Sequence, residues 1–251
     1  SGLVLLELGE DGTLQRLNPA RWSSADRNGC DSIWQVRQGA GGELYAACGS
    51  SGVGVLDLSD KTHPRITGRA ETGGYVRDIS VVENEKGELV RGEVVAAAGR
   101  AGIVHVDMTG KKVKGKVETK AEARGVVVRR GRAYVAEGAE GLRILDVTSK
   151  EGPKLLGGFD PKTTDMARSV SVSGTTAYLC LGDSGLMLLD VSDPGAVKRV
   201  GLIDPERSVN RVTVVGTKVY AANDADGVMI VDVSDVKNPR TIHPKKSESK
   251  K

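Results

Sequence analysis

Alternating apolar and polar positions recur along almost the whole chain. Six segments begin with glycine, continue with alternating apolar residues, and end in an acidic residue followed by an apolar one. They are residues 2–8, 52–58, 102–108, 141–147, 185–191 and 227–233. This alternation has the period of a β-strand. The starting glycines are separated by 50, 50, 39, 44 and 42 residues. A strand-rich repeat of this length is typical of β-propeller blades.

Each of the last five copies carries two further strands before its glycine. The nearer strand keeps a small residue at its third position, namely Ala47, Ala97, Ala136, Cys180 and Ala222. The other strand alternates at residues 77–81, 124–128, 168–172 and 210–214, with a looser first copy at 32–36. A fourth strand follows each acid, as at 64–67, 154–156 and 198–200. Four-stranded sheets of this kind bury both faces only when packed against similar neighbours in a ring.

The sequence therefore predicts an all-β fold, a β-propeller of four-stranded antiparallel blades in one domain over residues 1–243. Full blades are expected at about 30–70, 75–118, 122–160, 166–204 and 208–243, with an insertion at 84–91 that lengthens one turn. Residues 1–18 supply only two strands, the outer half of a sixth blade. Two arrangements stay open. Either sequence from a longer polypeptide or another chain completes the sixth blade, or the fold is a five-bladed ring with an added hairpin.

The repeat resembles the LVIVD family. The residues that carry the resemblance are Tyr134 to Val147, Gly185 to Pro194, and Gly227 to Asp235 with the following Asn238 and Pro239. The resemblance covers about residues 1–243 and implies a propeller of a bacterial or archaeal cell-surface or exported protein, with no general enzymatic activity. The copy that starts at Gly102 departs from the pattern because His105 stands in mid-strand.

Composition restricts the partner classes. The net charge is +3, but the last nine residues hold four lysines and one glutamate, so the rest of the chain is neutral. Residues 244–251 are expected to be a disordered basic tail. Aromatic residues make up only 3% of the chain, and no stacking platform accompanies basic residues, so we expect no nucleic-acid binding. No apolar run is long enough for a transmembrane helix.

Two motifs look chemical but fit turns better. Residues 182–185 resemble the segment around the nucleophile of trypsin-like serine proteases, yet the same turn recurs at 49–52, 99–102 and 138–141. Glycines at such turns tolerate positive φ, and no histidine stands at a suitable repeat position, so Ser184 is predicted to be a turn residue. Residues 223–227 alternate oxygen ligands as calcium loops do, but the expected glutamate is missing. We expect no catalytic residue, metal or cofactor.

The recurring acids have a simpler explanation. Each stands at the end of a strand, where its side chain is expected to cap the following turn through backbone hydrogen bonds. These residues are Asp57, Asp107, Asp146, Asp190 and Asp232.

Basic residues form the most informative set. Arg77, Arg124 and Arg168 open the innermost strand at equivalent positions, and Arg211 lies one place off that register. Innermost strands line the central channel of a propeller, so these arginines are predicted to gather at one channel mouth. Guanidinium groups suit carboxylates or phosphates. The alternative is that each arginine pairs with an acid of a neighbouring turn. The acids considered are Asp78, Glu140, Asp183 and Asp226.

The three cysteines predict one disulfide. Cys30 precedes the first inner strand, and Cys48 ends the strand expected to pair with it, which places the two within disulfide reach. A Cys30–Cys48 bond indicates an oxidising compartment. Cys180 occupies the small buried position and is expected to be a free core thiol.

The sequence favours a non-enzymatic binding or scaffold propeller. Its expected location is extracellular, at the cell surface or in the periplasm, and its expected partner is a protein or the remainder of a longer polypeptide. The alternative is an enzyme or a binder of a small anionic ligand at the arginine cluster.

Overall fold

The computed structural model describes residues 3–17, 28–30, 32–149, 151–203, 208–223 and 227–243. These residues form five four-stranded antiparallel sheets and one two-stranded sheet. The N-terminal hairpin consists of β1 (Leu6–Leu8) and β2 (Leu14–Arg16). The predicted all-β propeller is therefore confirmed, with five complete blades and a two-stranded partial blade.

The five complete blades follow one another along the chain. Blade 1 contains β3 (Gln35–Gln38), β4 (Leu44–Ala47), β5 (Val53–Asp57) and β6 (Arg65–Ala70). Blade 2 contains β7 (Asp78–Glu83), β8 (Leu89–Ala97), β9 (Ile103–Asp107) and β10 (Lys112–Val117). Blade 3 contains β11 (Gly125–Arg129), β12 (Arg132–Ala136), β13 (Leu142–Asp146) and β14 (Lys154–Phe159).

The last two blades repeat this order. Blade 4 contains β15 (Ser169–Ser173), β16 (Thr176–Cys180), β17 (Leu186–Asp190) and β18 (Lys198–Ile203), with a 3-10 turn at Pro194–Ala196. Blade 5 contains β19 (Val209–Val215), β20 (Lys218–Asn223), β21 (Gly227–Asp232) and β22 (Arg240–His243). The basic tail predicted at 244–251 lies outside the described residues.

Adjacent blades are joined at the turn between their second and third strands. A glycine in this turn forms an isolated antiparallel bridge with the residue that enters the next blade. The bridges are Gly49 to Val76, Gly99 to Ala123, Gly138 to Ala167 and Gly182 to Val209. The turn also requires its last glycine in blade 1, because a Cβ at Gly52 would lie 2.1 Å from the carbonyl oxygen of Ala70. The residues that resemble a protease nucleophile segment thus belong to a blade-linking turn.

The core consists of layers between consecutive blades. Separate apolar clusters join blades 1 and 2, 2 and 3, 3 and 4, and 4 and 5. The small third position of the second strand is fully buried in blades 1 to 4, as predicted from its size. In blade 5 the prediction is wrong, because Ala222 is exposed. No described strand packs over that face.

The acids at the strand ends cap the following turns, which confirms their predicted role. In each case Oδ1 accepts the backbone N–H two residues later. The N–H groups belong to Ser59, Thr109, Thr148, Ser192 and Ser234, at 2.8–3.0 Å.

A buried ion pair holds the connection between blades 2 and 3. Glu137 Oε1 accepts the backbone N–H groups of Lys120 at 2.6 Å and Ala121 at 3.2 Å, and Arg143 Nη2 at 3.1 Å. The Glu137 side chain is fully buried. A buried carboxylate is stable only when it is paired in this way, so this contact fixes the linker between blades 2 and 3.

Two strand assignments differ from the sequence prediction. The innermost strand of blade 1 begins at Gln35 rather than at residue 32. In blade 2, the turn covers only residues 84–88, and residues 89–91 of the predicted insertion belong to β8, which has nine residues. No helix in the described part of the chain is long and apolar enough to cross a membrane.

Candidate functional site

The innermost strands of all five complete blades line one central channel of about 380 Å³. Its mouth lies on the side where each innermost strand begins. The first channel position pairs with the small residue of the second strand in every blade. The residues at this position are Gln35, Asp78, Gly125, Ser169 and Arg211. Side chains from different blades therefore meet at one level of the channel.

Asp78 is the buried carboxylate of the channel. Its oxygens accept the N–H groups of Ile79 at 3.1 Å and of Val126, in the next blade, at 3.2 Å. Arg37 lies 3.8 Å and Arg211 3.9 Å from Oδ1. Burial raises the pKa of Asp78, and the two arginines oppose this effect. Asp78 thus links its own blade 2 to blades 1, 3 and 5 around the axis.

Arg77, Arg124 and Arg168 occupy equivalent positions, one residue before the first channel position. Their backbone N–H groups donate to Ala97, Ala136 and Cys180 at 3.2, 2.9 and 2.9 Å. Arg211 stands one place later because β19 has a register shift between Val209 and Arg211. It occupies the channel position itself, where its Nη1 donates to Gln35 at 3.1 Å.

One carboxylate that sequence reasoning missed organises two of these arginines. Glu122 Oε2 accepts Arg77 Nη1 at 3.2 Å and Arg124 Nη2 at 3.0 Å. Arg100 Nε lies 3.8 Å from Glu122 Oε1. Three guanidinium groups therefore surround one carboxylate, which leaves the mouth positively charged. Aligning the residues two places before each arginine would have located Glu122.

The acid partners considered from the sequence were only partly correct. Arg211 does face Asp78, but Arg77 and Arg124 pair with Glu122. Glu140 lies near Lys120 instead, at 3.9 Å. Asp226 falls outside the described residues.

Arg168 has neutral partners at the mouth. Its Nη1 donates to Ser208 Oγ at 3.1 Å and to Asn210 Oδ1. The guanidinium lies over Gly182, where an added Cβ would be 3.0 Å from Nη2. Within the described residues no carboxylate lies within ion-pair distance of it. Met166, which is exposed, stands where Glu122 stands in the preceding blade.

Two exposed aromatic residues extend the mouth toward blade 1. Trp34 occupies the register of the arginines, and its Nε1 donates to the Tyr75 hydroxyl at 2.8 Å. The two rings meet edge to face with centroids 5.9 Å apart. The guanidinium carbon of Arg77 lies 5.2 Å from the Tyr75 ring centroid, which is cation–π distance. We call Trp34, Tyr75 and Arg77 the aromatic rim.

Ser184 makes no contact of a catalytic kind with a described histidine. Its hydroxyl donates to Asp165 Oδ2 at 2.5 Å and lies 2.7 Å from Thr163 Oγ1. His105 is buried 2.6 Å from Glu93, and His63 lies 3.1 Å from Asp60.

No cluster of three potential metal-ligating side chains occurs within the described ranges. The calcium-like segment 223–227 lies partly outside them, at 224–226.

Cys30 and Cys48 form a disulfide with Cα atoms 5.0 Å apart. Both are fully buried in an apolar cluster with Leu56 and Ile66. Cys180 is a buried free thiol, and burial raises its pKa.

The LVIVD repeat family model matches residues 40–72, 121–160, 165–204 and 206–242, which together exceed half of the chain. The chain belongs to the LVIVD repeat family. All four strands of blade 2 lie outside the matched ranges, in line with the mid-strand histidine of this blade. No curated protein matches the chain.

Solved structures with a similar fold include propellers of unrelated sequence. The propeller domain of Cps50 (Swd1) from Myceliophteria thermophila is 12% identical, with a TM-score of 0.60, and the match covers 84% of this chain and 71% of that one. A functionally unknown protein from Desulfotomaculum acetoxidans is 10% identical, with a TM-score of 0.68 over 84% and 68%. A chain of a mitotic checkpoint complex is 13% identical, with a TM-score of 0.67 over 92% and 68%. At these identities the likeness concerns the fold alone.

Proposed function

We propose that this LVIVD propeller is a non-enzymatic binding module of an exported or cell-surface protein, and that it binds a protein partner at the channel mouth. The observation that carries the proposal is the aromatic rim. Trp34 and Tyr75 are exposed beside Arg77 although the whole chain contains few aromatic residues. Tryptophan, tyrosine and arginine are the residue types that contribute most to protein–protein binding energy.

The charge at the mouth selects the kind of partner. Glu122 is shared by Arg77, Arg100 and Arg124, so positive charge is in excess there although the chain up to residue 242 is neutral. Complementary charge accelerates association and favours one orientation of a partner. The partner surface is therefore acidic around an apolar centre that fits the aromatic rim.

Two features support export. The Cys30–Cys48 disulfide is of a kind that persists in oxidising compartments. Membership of the LVIVD family, which the resemblance associates with exported proteins, points the same way.

Photo-crosslinking tests the binding surface. A photoreactive phenylalanine analogue replaces Trp34 in one protein and the exposed Leu155, on the outer strand of blade 3, in the control. In extracts of the producing cells, we expect a discrete adduct at position 34 and none at position 155. The adduct should disappear when Arg77 is changed to Ala. Equal adducts at both positions, or none at position 34, would contradict the proposal.

A second candidate function is favoured by Arg168. Because its described partners are the neutral Ser208 and Asn210, this guanidinium can bind a carboxylate-bearing small molecule. Calorimetric titration with citrate tests this function separately, since citrate makes no use of the aromatic rim. Citrate binding that is unchanged in Arg168→Gln would contradict it.

A further inference from the structure

Blade 5 has an open face that the other blades do not have. Tyr178 of blade 4 is 3% exposed, whereas Tyr220 at the same register in blade 5 is 38% exposed. Leu186 of blade 4 is fully buried, whereas Val228 in the same place in blade 5 is 49% exposed. In both blades these two residues lie diagonally across adjacent strands, on one face of the sheet. The face that is open in blade 5 is thus equivalent to the face of blade 4 that blade 5 covers.

The successor of blade 4 shows what kind of surface fits such a face. Blade 5 covers Tyr178 and Leu186 with Val212, Val219 and Met229, which lie on the opposite side of its own sheet. Equivalent layers join every earlier pair of consecutive blades. The covering surface is therefore the apolar side of another blade of the same repeat.

The N-terminal hairpin has the register of the outer half of such a blade. Glu7 stands where the third strand of each complete blade has its acid, and β1 pairs with β2 as third and fourth strands do. Leu6 is 52% exposed, whereas Val231 at its register in blade 5 is fully buried. Leu3, which precedes β1, packs against the apolar cluster of blade 1 that contains the disulfide. The side of the hairpin that would meet blade 5 is therefore open and apolar.

The gap between these two surfaces corresponds to the first and second strands of a blade. First and second strands form the inner half of each complete blade, and the second strand always pairs with the third. The described residues supply third and fourth strands at the hairpin but no inner pair for it.

We propose that the gap between blade 5 and the N-terminal hairpin binds a β-hairpin that carries the first- and second-strand pattern of this repeat. One face of the occupant is apolar and covers Tyr220 and Val228. Its second strand lies alongside β1 and has a small residue at the third position, because that position is fully buried between packed blades. Binding closes the ring and covers the exposed side of Leu6.

The chain itself supplies a probe for this site. A fluorescein-labelled peptide of residues 167–181 contains the inner hairpin of blade 4, β15 and β16. Cys180 of the peptide is replaced by Ala, the residue at this position in the other complete blades. Fluorescence anisotropy with the 251-residue chain is expected to show saturable 1:1 binding, with a rise in the melting temperature of the protein.

Matched variants locate the binding. Tyr220→Lys places a charge on the open face and is expected to weaken peptide binding by about tenfold or more, while circular dichroism confirms that the exposed substitution leaves the fold intact. Leu155→Lys introduces the same charge at an exposed outer strand of blade 3 and should leave the affinity unchanged. Neither residue belongs to the channel mouth, so failure here is independent of the proposed function.

Three results would overturn the proposal. The first is the absence of saturable binding together with an unchanged melting temperature. The second is binding that Tyr220→Lys and Leu155→Lys affect equally. The third is a dimer of the chain that Tyr220→Lys dissociates, because the open face would then be an interface between two copies.

Discussion

Removal of the Cys30–Cys48 disulfide should destabilise the protein by an amount set by the loop that it closes. The two cysteines are 18 residues apart in sequence. Cross-linking a loop of this length lowers the entropy of the unfolded chain and contributes about 3 kcal/mol at 25 °C. We therefore expect Cys30→Ala combined with Cys48→Ala to lower the free energy of unfolding by about 3 kcal/mol.

Urea unfolding followed by circular dichroism measures this loss. The wild-type protein is compared with the double variant, with and without a thiol reductant. Reductant should lower the stability of the wild type toward that of the variant and leave the variant unchanged. Cys180→Ala is the matched control. It removes only a buried sulfur at a position that other blades fill with alanine, so it should cost about 1 kcal/mol and show no response to reductant.

Equal unfolding free energies for wild type and double variant, both insensitive to reductant, would refute the reasoning. The pair would then not constrain the unfolded chain. The disulfide would also cease to support export.

Three further predictions concern charged groups. Met166→Glu should place a carboxylate beside Arg168 and weaken citrate binding about tenfold, whereas Glu122→Gln frees guanidinium groups and should strengthen citrate binding. Isothermal titration calorimetry measures both affinities, and effects of the same sign would contradict the charge argument. Glu137→Gln removes the buried charge that pairs with the partly buried Arg143 and should cost about 3–5 kcal/mol in urea unfolding. A loss below about 1 kcal/mol would show that the pair is not needed. Burial raises the pKa of Asp78 above its ordinary value. The folded protein therefore holds the proton more tightly than the unfolded chain, and the contribution of Asp78 to stability falls as the pH rises through the pKa of the folded state. The stability of Asp78→Asn relative to wild type should therefore increase from about pH 3.5 to about pH 7, and a relative decrease would contradict it.

Local patterns carried most of what could be predicted of the fold. The period-two alternation fixes which side chains share a sheet face, and the repeated glycines fix the turns, so five blades and an extra hairpin followed from the sequence. The capping role of the strand-end acids is also local, since each carboxylate reaches a backbone N–H only two residues away.

Some contacts between blades escaped sequence reasoning. Glu122 pairs with Arg77 from the previous blade, and the two are 45 residues apart. Ala222 was expected to be buried like its counterparts, but burial depends on whether a following blade covers the face. Only the packing of complete sheets decides that.

The sequence alone determined the repeat, the four-stranded unit and the register that aligns Arg77, Arg124 and Arg168, because these depend on spacing along one chain. The tertiary structure decided which of these arginines has an acidic partner and which sheet face stays open. The pairing of the arginines and the exposure of the face depend on the packing of blades in the ring, which brings residues that are far apart in sequence to within a few ångströms of each other.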